Sequence, residues 1–246
     1  MVDAFPMSNG KLITDPTSGY DPNNPYANRD PRLGYSIIHD QTVLLVRNGS
    51  GQATGSAPVN IFIGNYNGNV TGQDAVHQGT LTGYYNNKML DPNAIASTLS
   101  FKSSRVIPLI RYAEILLDYA EAANEFEGPT ANVYNAINLI RQRAGLNPYQ
   151  LPAGLSKEGM RPYIQNERRI ELAYEEHRFW DVRRWKIAMQ TENVQAQGME
   201  VDRNGAAVTF KTFNLTKHNF RPAMYLWPFP LSETGKSPTL IQNPGY

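Results

Sequence analysis

The sequence predicts a mainly α fold: a helical-hairpin scaffold carrying long irregular loops and a few short strands. Two observations carry this. Between residues 108 and 145 apolar side chains recur at spacings of three and four, the period of an amphipathic helix. Residues 1–104 are punctuated by Pro, Asn and Gly ("DPTSGYDPNNPYANRDPR", "RNGSGQATGSAP", "GNYNGNVTGQ"), which fix turns and supply positive φ.

The loop-rich segment, 1–104, comes first. Short strands are expected at Val43–Arg47 and Asn60–Ile63. So much loop must pack on something or bind something.

The helical core, 105–190, opens with "PLIRYAEILLDYAEAANEFEGP". Ile110, Ala113, Leu116, Leu117, Ala120 and Ala123 form the apolar stripe, and Arg111, Glu114, Asp118, Glu121 and Glu125 the opposite, wet one. Gly128-Pro129 ends the helix. Thr130 can cap a second helix that buries Val133, Ile137 and Ile140 and stops at Gly145, giving an antiparallel hairpin. A third helix with Pro162 in its first turn runs through "ERRIELAYEEHRFWDVRRW" (167–185). It places Tyr163, Ile170, Ala173, Tyr174, His177, Trp180 and Arg184 near one face, with Trp180 buried. A charge ladder links Arg168–Glu171, Glu175–Arg178, Arg178–Asp181 and Asp181–Arg184.

The last segment, 191–246, reads as a hairpin turning at Asn204-Gly205 followed by an extended, proline-held tail.

Composition excludes several functions. Lys+Arg is 23 against Asp+Glu 22, so nothing pulls the chain toward nucleic acid, and acidic residues interleave with Arg178, Arg183 and Arg184. There is no cysteine, hence no disulfide, thiolate site or Cys nucleophile. The longest purely apolar run, Ala223 to Trp227, is too short to span a membrane. His39, His77, His177 and His218 lack metal-ligand spacing, and His177 reads as a packed residue. Gly49, Gly51 and Gly55 do not form a dinucleotide loop, and Pro230 stands where a phosphate loop before Gly235-Lys236-Ser237 needs glycine. Glu171, Glu175 and Glu176 offer carboxylates for glycoside hydrolysis, yet each has a basic residue within reach, which depresses a pKa where a general acid needs it raised. No catalytic residue, metal or cofactor is expected.

The remaining chemistry lies between Asn60 and Asn87, where six Asn and two Gln accompany Phe62, Tyr66, Tyr84 and Tyr85. Amides donate and accept hydrogen bonds, and flat rings stack on the C–H face of a sugar. "IGNYNGN" sets Tyr66 between Asn65 and Asn67 in a Gly-rich loop. The expected ligand platform is Asn65, Tyr66 and Asn67 with Tyr84 or Tyr85 nearby; loop packing is the alternative for each ring.

Several segments, in order, are similar to one family. "GYDPNNPYANRDPRL" (19–33), "TGYYNNKML" (82–90), the pair "IRYAEILLDYAEAANE" and "INLIRQRAGL", the third-helix stretch, "LWPFPLSE" and "PTLIQNPGY" together resemble the C-terminal part of the SusD/RagB nutrient-binding lipoproteins of the Bacteroidetes cell surface. Ser237 stands where the family commonly has Asn.

The resemblance implies a TPR-like αα-superhelix, an N-terminal half of helical repeats absent here, and a signal peptide and lipid anchor on that part. It implies a non-enzymatic protein on the extracellular face of the outer membrane. Such a protein binds oligosaccharide or polysaccharide, or peptide in the RagB branch, and passes it to a SusC-like TonB-dependent transporter. The family's motifs are mostly scaffold, so the site residues above rest on loop chemistry alone. A glycan-active hydrolase and a peptide-binding scaffold stay open as other readings.

Overall fold

The computed structural model describes residues 1–48, 52–72, 74–90, 107–237 and 239–246. Gly49, Gly51 and the expected boundary at 104–105 lie outside them. A 3-10 turn at Val2–Ala4 precedes α1 (Arg32–Ser36), and β1 (Ile37–Ile38), β2 (Val43–Arg47), β3 (Ala53–Pro58), β4 (Ile63–Tyr66), β5 (Asn69–Val70) and β6 (Tyr85–Asn86) follow. The helices are α2 (Tyr112–Glu127), α3 (Ala131–Arg143), α4 (Lys157–Glu171), α5 (His177–Arg184) and α6 (Ala188–Thr191). The chain closes with β7 (Gln195–Asn204), β8 (Ala207–Lys217), a 3-10 turn at Pro222–Tyr225 and α7 (Leu231–Thr234).

The hairpin of α2 and α3 forms as its periodicity demands. Leu117 and Ala120 of α2 meet Val133, Ile137 and Ile140 of α3 and Met160 and Ile164 of α4 in one buried cluster. Gly128, at φ 88°, ends α2 in a conformation that costs other residues strain. Thr130 sits at the N-cap of α3, but its hydroxyl makes no cap bond there.

Three expectations for the helices need correction. Ile110 precedes α2 and is 71% exposed, so it is not part of the core stripe. The carboxylate side of α2 is ion-paired and partly covered, with Asp118 still exposed. Asp118 pairs with Arg168, Glu121 with Arg184, Glu125 with Arg161, and Glu114 faces His177. The third helix is two helices. It starts at Lys157, where the Ser156 hydroxyl accepts a hydrogen bond from Gly159 N at 3.1 Å, so Pro162 lies inside it and not in its first turn. It stops after Glu171, and Tyr174 (φ 61°) and Glu176 (φ 65°) reverse the backbone before α5 begins. The break rotates everything beyond it out of phase, and Trp180 is 60% exposed where burial was expected.

The break also rewires the charge ladder. Only Asp181–Arg184 survives, at 2.9 Å. Asp181 takes its second partner from Arg168 at 2.8 Å, not Arg178. Glu171 accepts from Arg32 (2.9 Å), Arg111 (2.6 Å) and Arg143 (2.6 Å), and Glu167 accepts from Arg32 at 2.6 Å. Since Asp30 also binds Arg32, at 2.7 Å, the loop-rich segment is clamped onto α4 by a buried ionic knot. Ile170 extends this contact into a second cluster with Phe5, Leu33 and Ile37.

There is more sheet than a few short strands. β7 and β8 form a long antiparallel hairpin with Asn204 opposite Ala207, so the turn residues are Gly205-Ala206, one position beyond the expected pair. The hairpin carries β4 as a parallel neighbour and β5 outside it, in the order β5-β4-β7-β8. β2 falls where expected and pairs with β3; the strand expected at Asn60–Ile63 instead begins at Ile63.

Candidate ligand-binding site

The end of β4 and the turn into β5 hold the first three residues singled out above: Asn65 and Tyr66 on the strand, Asn67 in the turn. Asn65 and Asn67 are exposed and Tyr66 is half-buried. Tyr66 meets Phe62 edge-to-face at 6.0 Å, and the guanidinium of Arg203 lies over its ring at 4.8 Å. Arg203 is held by the buried Asp40, whose Oδ2 accepts from Arg203 Nε at 2.6 Å while Oδ1 accepts from Ile61 N at 2.9 Å. One carboxylate thus fixes both the entry to β4 and the cation above Tyr66. Gly64, at φ 98°, lets β4 lie against β7; a Cβ there would come within 2.3 Å of Arg203 O.

Tyr84 and Tyr85 belong to the neighbouring loop. Met199 N donates to Thr82 O at 2.9 Å, and Gly83 (φ 80°) passes so close to β7 that a Cβ would lie 1.9 Å from Met199 O. Tyr84 packs inward, its hydroxyl accepting from Tyr26 at 3.2 Å, and it lines a cavity of about 220 Å³. Burial pushes its hydroxyl up to about 12 despite that bond. Tyr85 pairs through β6 with Ile38 and donates to Asp74 Oδ1 at 3.0 Å. Burial and this bond push its hydroxyl up to about 12 as well. No ring contact joins Tyr66 to Tyr84 or Tyr85 among the described residues.

The helix break creates a feature the sequence reading missed. A cleft of about 1110 Å³ opens beside α5, lined by Tyr174, Phe179, Trp180, Arg169, Arg178 and Glu192 among others. Tyr174 also walls the cavity at Tyr84. Among the described residues neither Arg169 nor Arg178 has a hydrogen bond or ion pair, and burial lowers both pKa values. Flat rings beside two guanidiniums that face only the nearby charge of Glu192, with no hydrogen bond to it, suit a group that is apolar on one side and polar on another. The signal in the sequence was weak: "LAYEEH" has no Gly or Pro to mark a break.

Glu171 at the end of α4 and Glu175 in the break beyond it do not suit an acid pair. Burial raises Glu171 and Glu175, but Arg32 and Arg111 for the first, and Arg111 and Lys88 for the second, outweigh it and hold both below the ordinary value. Their place is in the scaffold.

Compared with known proteins, residues 1–246 match the SusD family from end to end. The chain belongs to the SusD family. It is 33% identical over 150 residues to SusD-like protein P2 of Formosa agariphila, a match covering 58% of this chain and 26% of P2. A crystal structure of a SusD-like protein from Bacteroides fragilis superposes with a TM-score of 0.78 at 30% identity, covering 100% of this chain and 46% of that one. A SusD-like carbohydrate-binding protein from the same species gives 0.67 at 26% identity, over 95% of this chain and 46% of that one. The chain therefore spans under half the length of these relatives. Of the expected TPR-like superhelix the described residues show only one helical hairpin, α2–α3, packed on α4; the superhelix itself is not shown.

Proposed function

We propose that this chain is part of a non-catalytic, outer-membrane surface protein that binds oligosaccharide or polysaccharide and hands it to a SusC-like TonB-dependent transporter. The observation that carries the reading is family membership over all 246 residues. The likeness to a protein described as carbohydrate-binding supports it. On this reading a lipid anchor ties the protein to the membrane; among the described residues no helix is long and apolar enough to cross a bilayer.

The platform is Asn65 and Tyr66 at the end of β4 with Asn67 in the turn that follows. Exposed amides meet sugar hydroxyls on either side of a ring held in place by Phe62 and Arg203. Of the two other tyrosines singled out, Tyr85 serves better than Tyr84, whose hydroxyl is engaged inward. One ring beside amides gives weak binding, at about −4 to −6 kcal/mol, or high micromolar to millimolar affinity. A glycan array probed with the chain, run beside an array of extended peptides, tests this. Retention on glycans supports it; retention on peptides alone moves the protein to the RagB-type reading, and turnover of any glycan makes it an enzyme.

A further inference from the structure

β2 and β3 form a two-stranded sheet with no third strand on either side among the described residues. Its base is closed at Val59, whose carbonyl accepts from Gln41 N and whose N–H donates to Thr42 O, both at 2.9 Å. Beyond that base the hairpin stands in solvent. All of β3 is exposed, and so are Val43 (63%), Leu45 (54%) and Val46 (42%) of β2. A lone two-stranded hairpin is marginally stable in water, and a third strand normally joins it.

The edges of the molecule's sheets are not alike. β3 carries Gly55 and Pro58, and proline has no N–H to give. β5, β1 and β6 are two residues long, and β8 carries Lys211 and Lys217. Short length, lysine and proline all discourage pairing with another chain. β2 has none of these guards from Val43 to Val46, a run of four apolar residues without charge, proline or glycine.

The register shows which backbone groups of β2 are free. Val43 lies opposite Pro58, so that pair cannot exchange both ladder bonds. Bonded and non-bonded pairs alternate along an antiparallel ladder, which makes Leu44–Ala57 and Val46–Gly55 the bonded ones. The N–H and C=O of Val43 and Leu45 therefore point away from β3, to the open edge. A second β2 laid antiparallel about a two-fold axis at Leu44 meets all of them: Val43 faces Leu45 of the other copy, and Leu45 faces its Val43. The same register sets Leu44 against Leu44, and the one charged residue of the strand, Arg47, against Gln41. Centring the pair on Leu45 would set Arg47 against Val43 instead. The strand is complementary to itself, which is what a two-fold interface requires.

We propose that the open edge of β2 is the pairing site for β2 of a second copy of this chain, giving a continuous β3-β2-β2-β3 sheet centred on Leu44. The inference does not rest on the glycan reading.

The test exploits the absence of cysteine from the chain, so that any cysteine introduced is the only one. In a Leu44→Cys variant the axis sets the two thiols opposite one another at a non-hydrogen-bonded position, where Cα atoms stand about 4.5 Å apart, within reach of a disulfide. In Val46→Cys, on the same face, the two cysteines lie four residues apart along the paired strands, roughly 13 Å, out of that reach. Mild oxidation should link Leu44→Cys into a dimer at least tenfold faster than Val46→Cys or Ser56→Cys. Adding Val43→Lys and Leu45→Lys to Leu44→Cys sets lysine opposite lysine and should abolish the link. Mixing that protein with Leu44→Cys carrying Val43→Glu and Leu45→Glu should restore it between unlike chains. Positions 43 and 45 are exposed, so the wild-type melting curve should be kept throughout. No link at position 44, an equal rate at 46 or 56, a link that survives the lysines, or no rescue by the glutamates would each overturn the proposal. In the Bacteroides fragilis SusD-like structure the strand aligned with β2 should have one edge unpaired within its own chain; a strand of that chain lying there contradicts it.

Discussion

Arg111 and Glu175 form a two-point ion pair, with Nε donating to Oε2 at 2.6 Å and Nη2 to Oε1 at 2.9 Å. Glu175 lies between the two residues of left-handed backbone that separate α4 from α5, Tyr174 and Glu176. The same guanidinium donates to the last carbonyl of α4, Glu171 O, at 2.6 Å, and Lys88 donates there at 2.7 Å. Arg111 therefore caps one helix and pins the reversal that launches the next.

Removing the Glu175 carboxylate should take a partner from both Arg111 and Lys88 in a largely buried place, with Arg111 keeping only Glu171 as its counter-charge. Glu175→Gln is expected to lower unfolding free energy by about 3 kcal/mol, read from urea denaturation. Arg111→Lys should recover only part of an Arg111→Ala loss, since an ammonium cannot make the two-point contact. A Glu175→Gln protein as stable as wild type would show that the reversal holds without the pair.

The same carboxylates set an acid limit. Glu171 and Glu175 have folded pKa values below their ordinary 4.5, so the unfolded chain binds protons first as pH falls. Their stabilisation is fully present above pH 4.5 and is lost as pH drops through the folded values. Denaturation midpoints should fall below pH 4.5, and the decline should be shallower in Glu171→Gln/Glu175→Gln. An equally steep decline in that variant would place the acid sensitivity elsewhere.

Two large apolar side chains should behave in opposite ways. Leu117 is fully buried between α2, α3 and α4, and Leu117→Ala should cost about 2–5 kcal/mol. Trp180, 60% exposed and touching Phe179 edge-on at 5.0 Å, should lose no more than about 1 kcal/mol on change to Ala. A sharp drop in melting temperature for Trp180→Ala would restore the continuous helix and contradict the break at Tyr174–Glu176.

These contrasts mark what could be read from the sequence. The α2–α3 hairpin, its glycine stops and the β7–β8 turn region follow from local period and turn chemistry, which depend on near neighbours. The helix break does not. Its cause is Arg111 and Lys88 arriving from far along the chain to hold Glu175, and no spacing within 167–185 encodes them. Asp181 shows the same division: its local partner Arg184 was expected, but its second partner proved to be Arg168, brought close by the turn. At the candidate platform the amide–tyrosine pattern was legible, while Arg203 over Tyr66 was not, because β4 and β7 become neighbours only in the parallel pairing.

Asp40 links that platform to the core. Asp40→Asn should weaken the hold on Arg203 and loosen Tyr66, costing stability and, on the proposed function, glycan affinity together. The check pairs thermal melts with binding titrations at a temperature where the variant stays folded. Full affinity in the folded variant would detach Arg203 from the site.

The central claim is that Tyr66 with Asn65 and Asn67 binds sugar. Isothermal titration of the chain with its strongest array glycan, comparing wild type with Tyr66→Ala, tests it most directly. The stacking contact is worth roughly 0.5–1.5 kcal/mol beyond area burial, so affinity should fall by about threefold to tenfold or more, with the melting temperature showing the variant folded. Unchanged affinity in a folded Tyr66→Ala protein would show that the ring is packing and that the sugar binds elsewhere.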